Sequence, residues 1–197
     1  MALSSRFTDA LGYCATLHQG QVRKVSGTPY VAHLLRVAGI VLEYGAGEDE
    51  AIAALLHDAV EDQGGPATEQ EIRRRFGDNV AEIVLGCTDT DQTPKPPWRK
   101  RKEDYLARLR EASASVRLVK AADKLDNVRS LIHEYRRSGE ALWTWFRGGR
   151  DGTLWYFRQS LEILKAPGDS PLVEELERAV EELERLTSSS QAPRPKT

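Results

Sequence analysis

The sequence predicts an all-α protein built as one domain. Three observations carry that expectation. Apolar residues recur at the three-and-four spacing of helices along most of the chain, and Gly and Pro clusters rather than alternating strands separate those stretches. The 197 residues, 40% of them hydrophobic, suffice for one core and fall short of two.

Phe7, Leu11, Ala15 and Leu17 or His18 mark a first helix, ended by the stretch GQVRKVSGTPY with Gly20, Gly27 and Pro29. Helix resumes near Val31, with Leu34, Leu35, Val37, Ala38, Val41 and Leu42 as its apolar face. EYGAGEDE turns the chain into a helix expected over Ala51 to about Asp62, which Gly64-Gly65-Pro66 stops. Thr68 followed by Glu71 resembles a capping box opening the next helix, and Ile72, Phe76, Val80, Ile83 and Val84 fit helices around Gly77. From Thr88 to Lys102 the segment TDTDQTPKPPWRKRK is polar, proline-rich and then basic, and it reads as an exposed loop ending where Tyr105, Leu106 and Leu109 restart a helix. A long helix is expected from about Ser115 to Tyr135, with others over Glu140 to Phe146, Gly152 to Leu164 and Pro171 to Leu186. The domain is placed at residues 1–186, and residues 187–197, TSSSQAPRPKT, read by composition as a disordered tail.

Lys+Arg 28 against Asp+Glu 30 leaves a net charge of -2. Such a balance gives no push toward nucleic acid or an anionic membrane, so an anionic ligand must be held by a local basic cluster. Cys14 and Cys87 stand far apart and form no CxxC pair, and they read as reduced, partly buried thiols. The N-terminus is patterned as an amphipathic helix rather than a signal peptide, and no apolar run approaches the ~20 residues of a membrane span. A cytoplasmic protein is expected.

Chemistry concentrates in three segments. In ALLHDAVED, His57 and Glu61 lie one helical turn apart, as do Asp58 and Asp62, on a helix otherwise made of apolar residues. The bland reading of such an arc is a solvated face. Against it, a histidine stands beside three acids with no Lys or Arg to pair them, and a bound cation would relieve their repulsion. In VRLVKAADKLDNVRSLIHEY, Asp123 follows two alanines that allow close helix packing, and a carboxylate there needs a partner or a metal. Pairing with Lys120, Lys124 or Arg129 is the simpler account, more natural for Asp126 than for Asp123. His33, in PYVAHLLRVAGIV, is by itself more often a satisfied core residue than a ligand.

Together these segments resemble the HD-domain superfamily, whose pattern is an early His, an adjacent His-Asp pair and a distant Asp. RKVSGTPYVAH, LLHDAVED and AADKLDNVRSL further resemble, in the same order over roughly residues 5 to 165, motifs of the alarmone hydrolases of the stringent response. These are the hydrolase half of RelA/SpoT proteins and their stand-alone small relatives. The resemblance implies a helical HD-domain bundle with His33, His57, Asp58 and Asp123 as metal ligands. Two imidazoles and two carboxylates balance a divalent charge, and mixed N/O ligation suits an octahedral ion such as Mn²⁺, with other divalent metals open. It implies that Glu61 and Asp62 act on the attacking water, that Asn127 and Ser130 lie near ribose and phosphate, and that Arg23 and Lys24 contact the nucleotide. Tyr156, in GTLWYFRQ, matches a substrate-side tyrosine. Lys95, Arg99, Lys100, Arg101 and Lys102 form a counter-surface for polyphosphate, from which Arg99, Arg101 and Lys102 are taken as substrate contacts.

The implied reaction removes the 3′-pyrophosphate of guanosine tetra- or pentaphosphate (ppGpp, pppGpp), giving GDP or GTP. Val25 makes RKVSGTPY one residue longer than the RKSGxPY of the bifunctional enzymes, a departure in the loop expected to touch the base. No synthetase half is expected in this chain. The alternatives are an HD phosphohydrolase acting on ppApp, NADPH or a nucleoside monophosphate, and a catalytically silent nucleotide-binding module. The expected partner is a small nucleotide, with no nucleic acid and no membrane.

Overall fold

A computed structural model describes residues 2–90, 92 and 94–189, and among these the ordered elements are helices plus one antiparallel bridge between Val22 and Pro29. α1 (Ser5–Leu17), capped by the Ser4 hydroxyl, and α2 (Val31–Glu43) pack on α3 (Glu48–Leu56). Ala51, Ile52, Ala53, Ala54, Leu55 and Leu56 are each 0% exposed. A helix apolar on every side belongs at the centre. α3 is accordingly enclosed by α1, α2, α6 (Asp78–Cys87) and α8 (Ala114–Ser138).

The helix expected over Ala51 to Asp62 is two helices. α3 ends at Leu56, and α4 (Ala59–Asp62) begins after His57 and Asp58. Asp58 has φ −101° and ψ −1°, in the sparsely populated bridge region where site residues are often found. No Gly or Pro announces this break, so periodicity runs through it. The capping box is also absent. α5 (Pro66–Phe76) starts on Pro66 itself, the Thr68 hydroxyl donates to the Gln63 carbonyl at 2.5 Å, and Glu71 is engaged by Arg74 and Arg75.

The basic segment is helical where a loop was expected. α7 (Trp98–Arg110) begins at Trp98, which lies against Gly148 and Gly152 at the start of α9 (Gly149–Lys165). A Cβ on Gly148 would stand 2.6 Å from the Trp98 ring, so a residue without a side chain is what lets the indole seat there. Winding the segment into a helix sorts its cations. Arg99 and Lys100 pair outward with Glu103 and Asp104, while Arg101 and Lys102 turn inward. The helix expected over Glu140 to Phe146 is a 3₁₀ helix, Gly139–Trp145.

α10 (Pro171–Ser189) lies across α8 and α9 and buries Leu172, Val173, Leu176, Val180 and Leu183. Its acids clip it down, with Glu175 on Arg129 and Tyr44, and Glu182 on Arg136. This helix completes the core. Leu176→Ala is therefore expected to destabilise by about 2–5 kcal/mol. The unfolding midpoint should fall by roughly 5–15 °C, and an unchanged midpoint would show α10 to be dispensable. Thr187 to Ser189, assigned from composition to the tail, are the end of α10; residues 190–197 of that expected tail lie outside the described residues. Cys14 and Cys87 are buried free thiols, each pushed up to about 12 by burial. Among the described residues, no helix is long and apolar enough to cross a membrane.

Candidate metal centre and its cleft

Four elements meet at one point. α2 brings His33, the break between α3 and α4 brings His57 and Asp58, and α8 brings Asp123. His33 Nε2 lies 3.7 Å from Asp58 Oδ2 and 3.4 Å from Asp123 Oδ1, and His57 Nε2 lies 3.1 Å and 3.6 Å from the same two oxygens. Donor atoms of His33, His57 and Asp58 fall within 4.8 Å of one another. Adjacent ligands of an octahedral ion at ~2.1 Å stand about 3 Å apart, so these separations suit a shared cation. The helix break is what makes this convergence available, because neighbours in a continuous helix diverge by about 100°.

The donor chemistry fits as well. His57 Nδ1 donates to the Ala54 carbonyl at 2.8 Å, which leaves the Nε2 lone pair facing carboxylate oxygens, and Nε2 is buried with no hydrogen-bond partner. An acceptor lone pair against two anions calls for a cation between them. Burial opposes charging these rings, yet the surrounding carboxylates raise His33 to about 10 and His57 to about 9. A divalent ion held there would compete for the same lone pairs, and its binding would release those protons.

Asp123 is shared in a way its segment alone left open. Oδ1 faces the histidines, while Oδ2 takes Lys120 at 2.7 Å and Lys124 at 3.2 Å. The lysine pairing, judged more natural for Asp126, falls on Asp123, whose carboxyl the two ammonium groups hold well below the usual range against burial. Asp126 instead faces α2, with Oδ2 2.6 Å from His33 Nδ1 and both oxygens engaged by Arg36. Tyr30 donates to Asp58 Oδ2 at 2.6 Å.

A cleft of about 1230 Å³ opens beside this cluster. Residues 21–30 fold back on themselves, Arg23 N donating to Thr28 O at 2.8 Å and Gly27 supplying φ +68° at the turn. The fold-back presents Arg23, Lys24 and Val25 to the cleft. Asn127 links the Arg23 guanidinium (2.8 Å) to Asp123 Oδ1 (2.5 Å), and Ser130 lines the cleft one turn further along α8. On the opposite wall Glu61 Oε1 accepts from Lys95 at 2.9 Å and Arg101 at 3.3 Å, and Oε2 accepts from the Asp89 amide at 3.2 Å. Asp62 accepts from Gln21 at 2.9 Å, and its carboxyl is raised by desolvation and by the charge of Asp58.

Arg101, Lys102 and Tyr156 line the cleft, and Arg99 does not: its guanidinium stacks on Trp155 at 3.4 Å, away from the opening. Lys102 and Lys124 sit 4.6 and 4.7 Å from the Tyr156 ring and, against burial, lower its phenol. Sequence reasoning assigned no role to Gln21, Tyr30 or Asp89, and gave Lys120 and Lys124 only that of ion-pair partners. Of these, Tyr30 stood in the quoted RKVSGTPY and Lys120 and Lys124 beside AAD; nothing in the local pattern pointed to Gln21 or Asp89.

A helical bundle that gathers two histidines and two aspartates from separate helices over a polar cleft defines a class of its own. The chain belongs to the HD domain family, whose profile matches residues 10–154. Among curated relatives, a Drosophila melanogaster protein named guanosine-3′,5′-bis(diphosphate) 3′-pyrophosphohydrolase MESH1 is 37% identical over 131 residues, 65% of this chain and 70% of that protein. A Myxococcus xanthus GTP pyrophosphokinase is 39% identical over 127 residues, of which this chain spans only 16% of the length. A solved structure of a metazoan SpoT ortholog, described as hydrolysing ppGpp, superposes with TM-score 0.77 at 28% identity, covering 92% of this chain and 97% of that one.

Proposed function

We propose that this chain is a metal-dependent 3′-pyrophosphohydrolase of ppGpp and pppGpp, with Mn²⁺ held by His33, His57, Asp58 and Asp123. The observation that carries the reading is the position of Glu61 and Asp62, one turn beyond two ligands and facing a cleft walled by Lys95, Arg101 and Lys102. The bound cation would supply a Lewis acid that makes water a nucleophile near neutral pH. One carboxylate of the Glu61 and Asp62 pair accepts the water proton as the water oxygen bonds to phosphorus. The bond to the ribose 3′-oxygen breaks, that oxygen leaving as a hydroxyl with the proton returned to it. Lys95, Arg101 and Lys102 offset the charge of the pyrophosphoryl group as it is transferred to water. Arg23 stacks or pairs with the nucleotide while Asn127 fixes it relative to Asp123.

Val25, half-buried, lines the cleft, so this added residue bears on base selectivity. The test offers ppGpp, pppGpp, ppApp, NADPH and simple nucleoside monophosphates to the Mn²⁺-loaded protein and follows products. Pyrophosphate release from ppGpp, stopped by chelator, is the expected result. Preference for ppApp moves the base assignment, release of orthophosphate alone overturns the reaction, and tight ppGpp binding without turnover supports a binding module.

A further inference from the structure

α8 grips one histidine by both ring nitrogens. Asp123 Oδ1 lies 3.4 Å from His33 Nε2, and Asp126 Oδ2, one turn along the same helix, lies 2.6 Å from Nδ1. His33 is 1% exposed and Asp126 2%, so water does not compete for the contact. Arg36, one turn from His33 on α2, holds both oxygens of Asp126 from the other side. The two histidines of the centre therefore differ. His57 Nδ1 faces a neutral carbonyl, that of Ala54, whereas His33 Nδ1 faces a carboxylate. A charged acceptor makes the stronger hydrogen bond, fixes the Nδ1–H tautomer and increases electron density at Nε2.

We propose that Asp126 is a positioning residue for the metal centre, locking His33 with Nε2 toward Asp58 and Asp123 and strengthening it as a ligand for a divalent cation. This rests on the metal-site reading above. Its effect reaches the cation only through His33, which separates it from a simple strut between α2 and α8.

The test measures Mn²⁺ affinity of the full chain by calorimetry, with melting in chelator as the check on folding. Asp126→Asn and Asp126→Ala are expected to bind Mn²⁺ about 10–100-fold more weakly. Arg36→Gln breaks the same bridge from its exposed end and should keep an affinity close to that of the unaltered protein. Equal losses from both ends, or wild-type affinity in folded Asp126 variants, overturn the proposal. Should the Asp126 variants not fold, ¹⁵N-histidine spectra of the unaltered protein with Zn²⁺ decide. Coordination of His33 through Nε2, with a hydrogen-bonded Nδ1–H, upholds the proposal, and coordination through Nδ1 overturns it. Failure of the unaltered protein to bind Mn²⁺ or Zn²⁺ at all would instead refute the metal site itself.

Discussion

Asp58→Ala is expected to remove tight Mn²⁺ binding and to lower pyrophosphate release by about a thousandfold or more, roughly 4 kcal/mol of transition-state stabilisation. Its Oδ2 is one of two carboxylate oxygens that both His33 Nε2 and His57 Nε2 approach, at 3.7 and 3.1 Å, and the Tyr30 hydroxyl orients it at 2.6 Å. No other carboxylate of the site can replace it, because Asp123 is already divided between the histidines and two lysines. Truncation leaves two histidines and one lysine-neutralised carboxylate, a set too weakly charged to strip water from a hard divalent ion. The buried apolar faces of α3 and α4 are untouched, so the variant should melt in chelator near the unaltered protein. What disappears is the rise in melting temperature on adding Mn²⁺, which is a direct measure of binding to the folded state. A variant that still takes up stoichiometric Mn²⁺ would remove Asp58 from the ligand set.

The sequence made helices legible wherever burial is one-sided or complete, because apolar spacing records which face meets the core. It did not record the break at His57-Asp58, where every residue tolerates helix and only tertiary packing selects the bridge conformation of Asp58. Nor did it record the helical start at Trp98. That start depends on an indole seated against glycines some fifty residues later, and proline-rich, basic composition hides it. Within the site, the four proposed ligands came from the family resemblance that three ordered motifs carry, each residue being ambiguous in its own segment, whereas their supports came from neither. Gln21, Tyr30 and Asp126 act through hydrogen bonds between distant elements, and such pairings leave no periodic trace. Lys120 and Lys124 were visible only as ordinary ion-pair partners, since nothing in one helix tells which oxygen of Asp123 they take.

Glu61→Gln separates two tasks that the geometry assigns to one side chain. Its carboxylate is fastened by Lys95 and Arg101 on one oxygen and by the Asp89 amide on the other, so it is both a counter-ion for the basic wall and a candidate proton acceptor. Glutamine preserves the shape and a hydrogen-bond acceptor but neither the charge nor the basicity. If Glu61 takes the water proton, kcat falls by about 10²–10⁴-fold. KM should hold or decrease, because Lys95 and Arg101 are released to meet the pyrophosphate. If Glu61 only anchors the wall, the pattern reverses: kcat survives and KM shifts. In that case Asp62 becomes the acceptor, a role its raised carboxyl suits, and Asp62→Asn should then carry the large loss in kcat. Mn²⁺ affinity is expected to stay near that of the unaltered protein in both variants, since neither side chain faces the two Nε2 atoms. A large fall in Mn²⁺ affinity for Glu61→Gln would place Glu61 among the ligands and reassign the proton to Asp62.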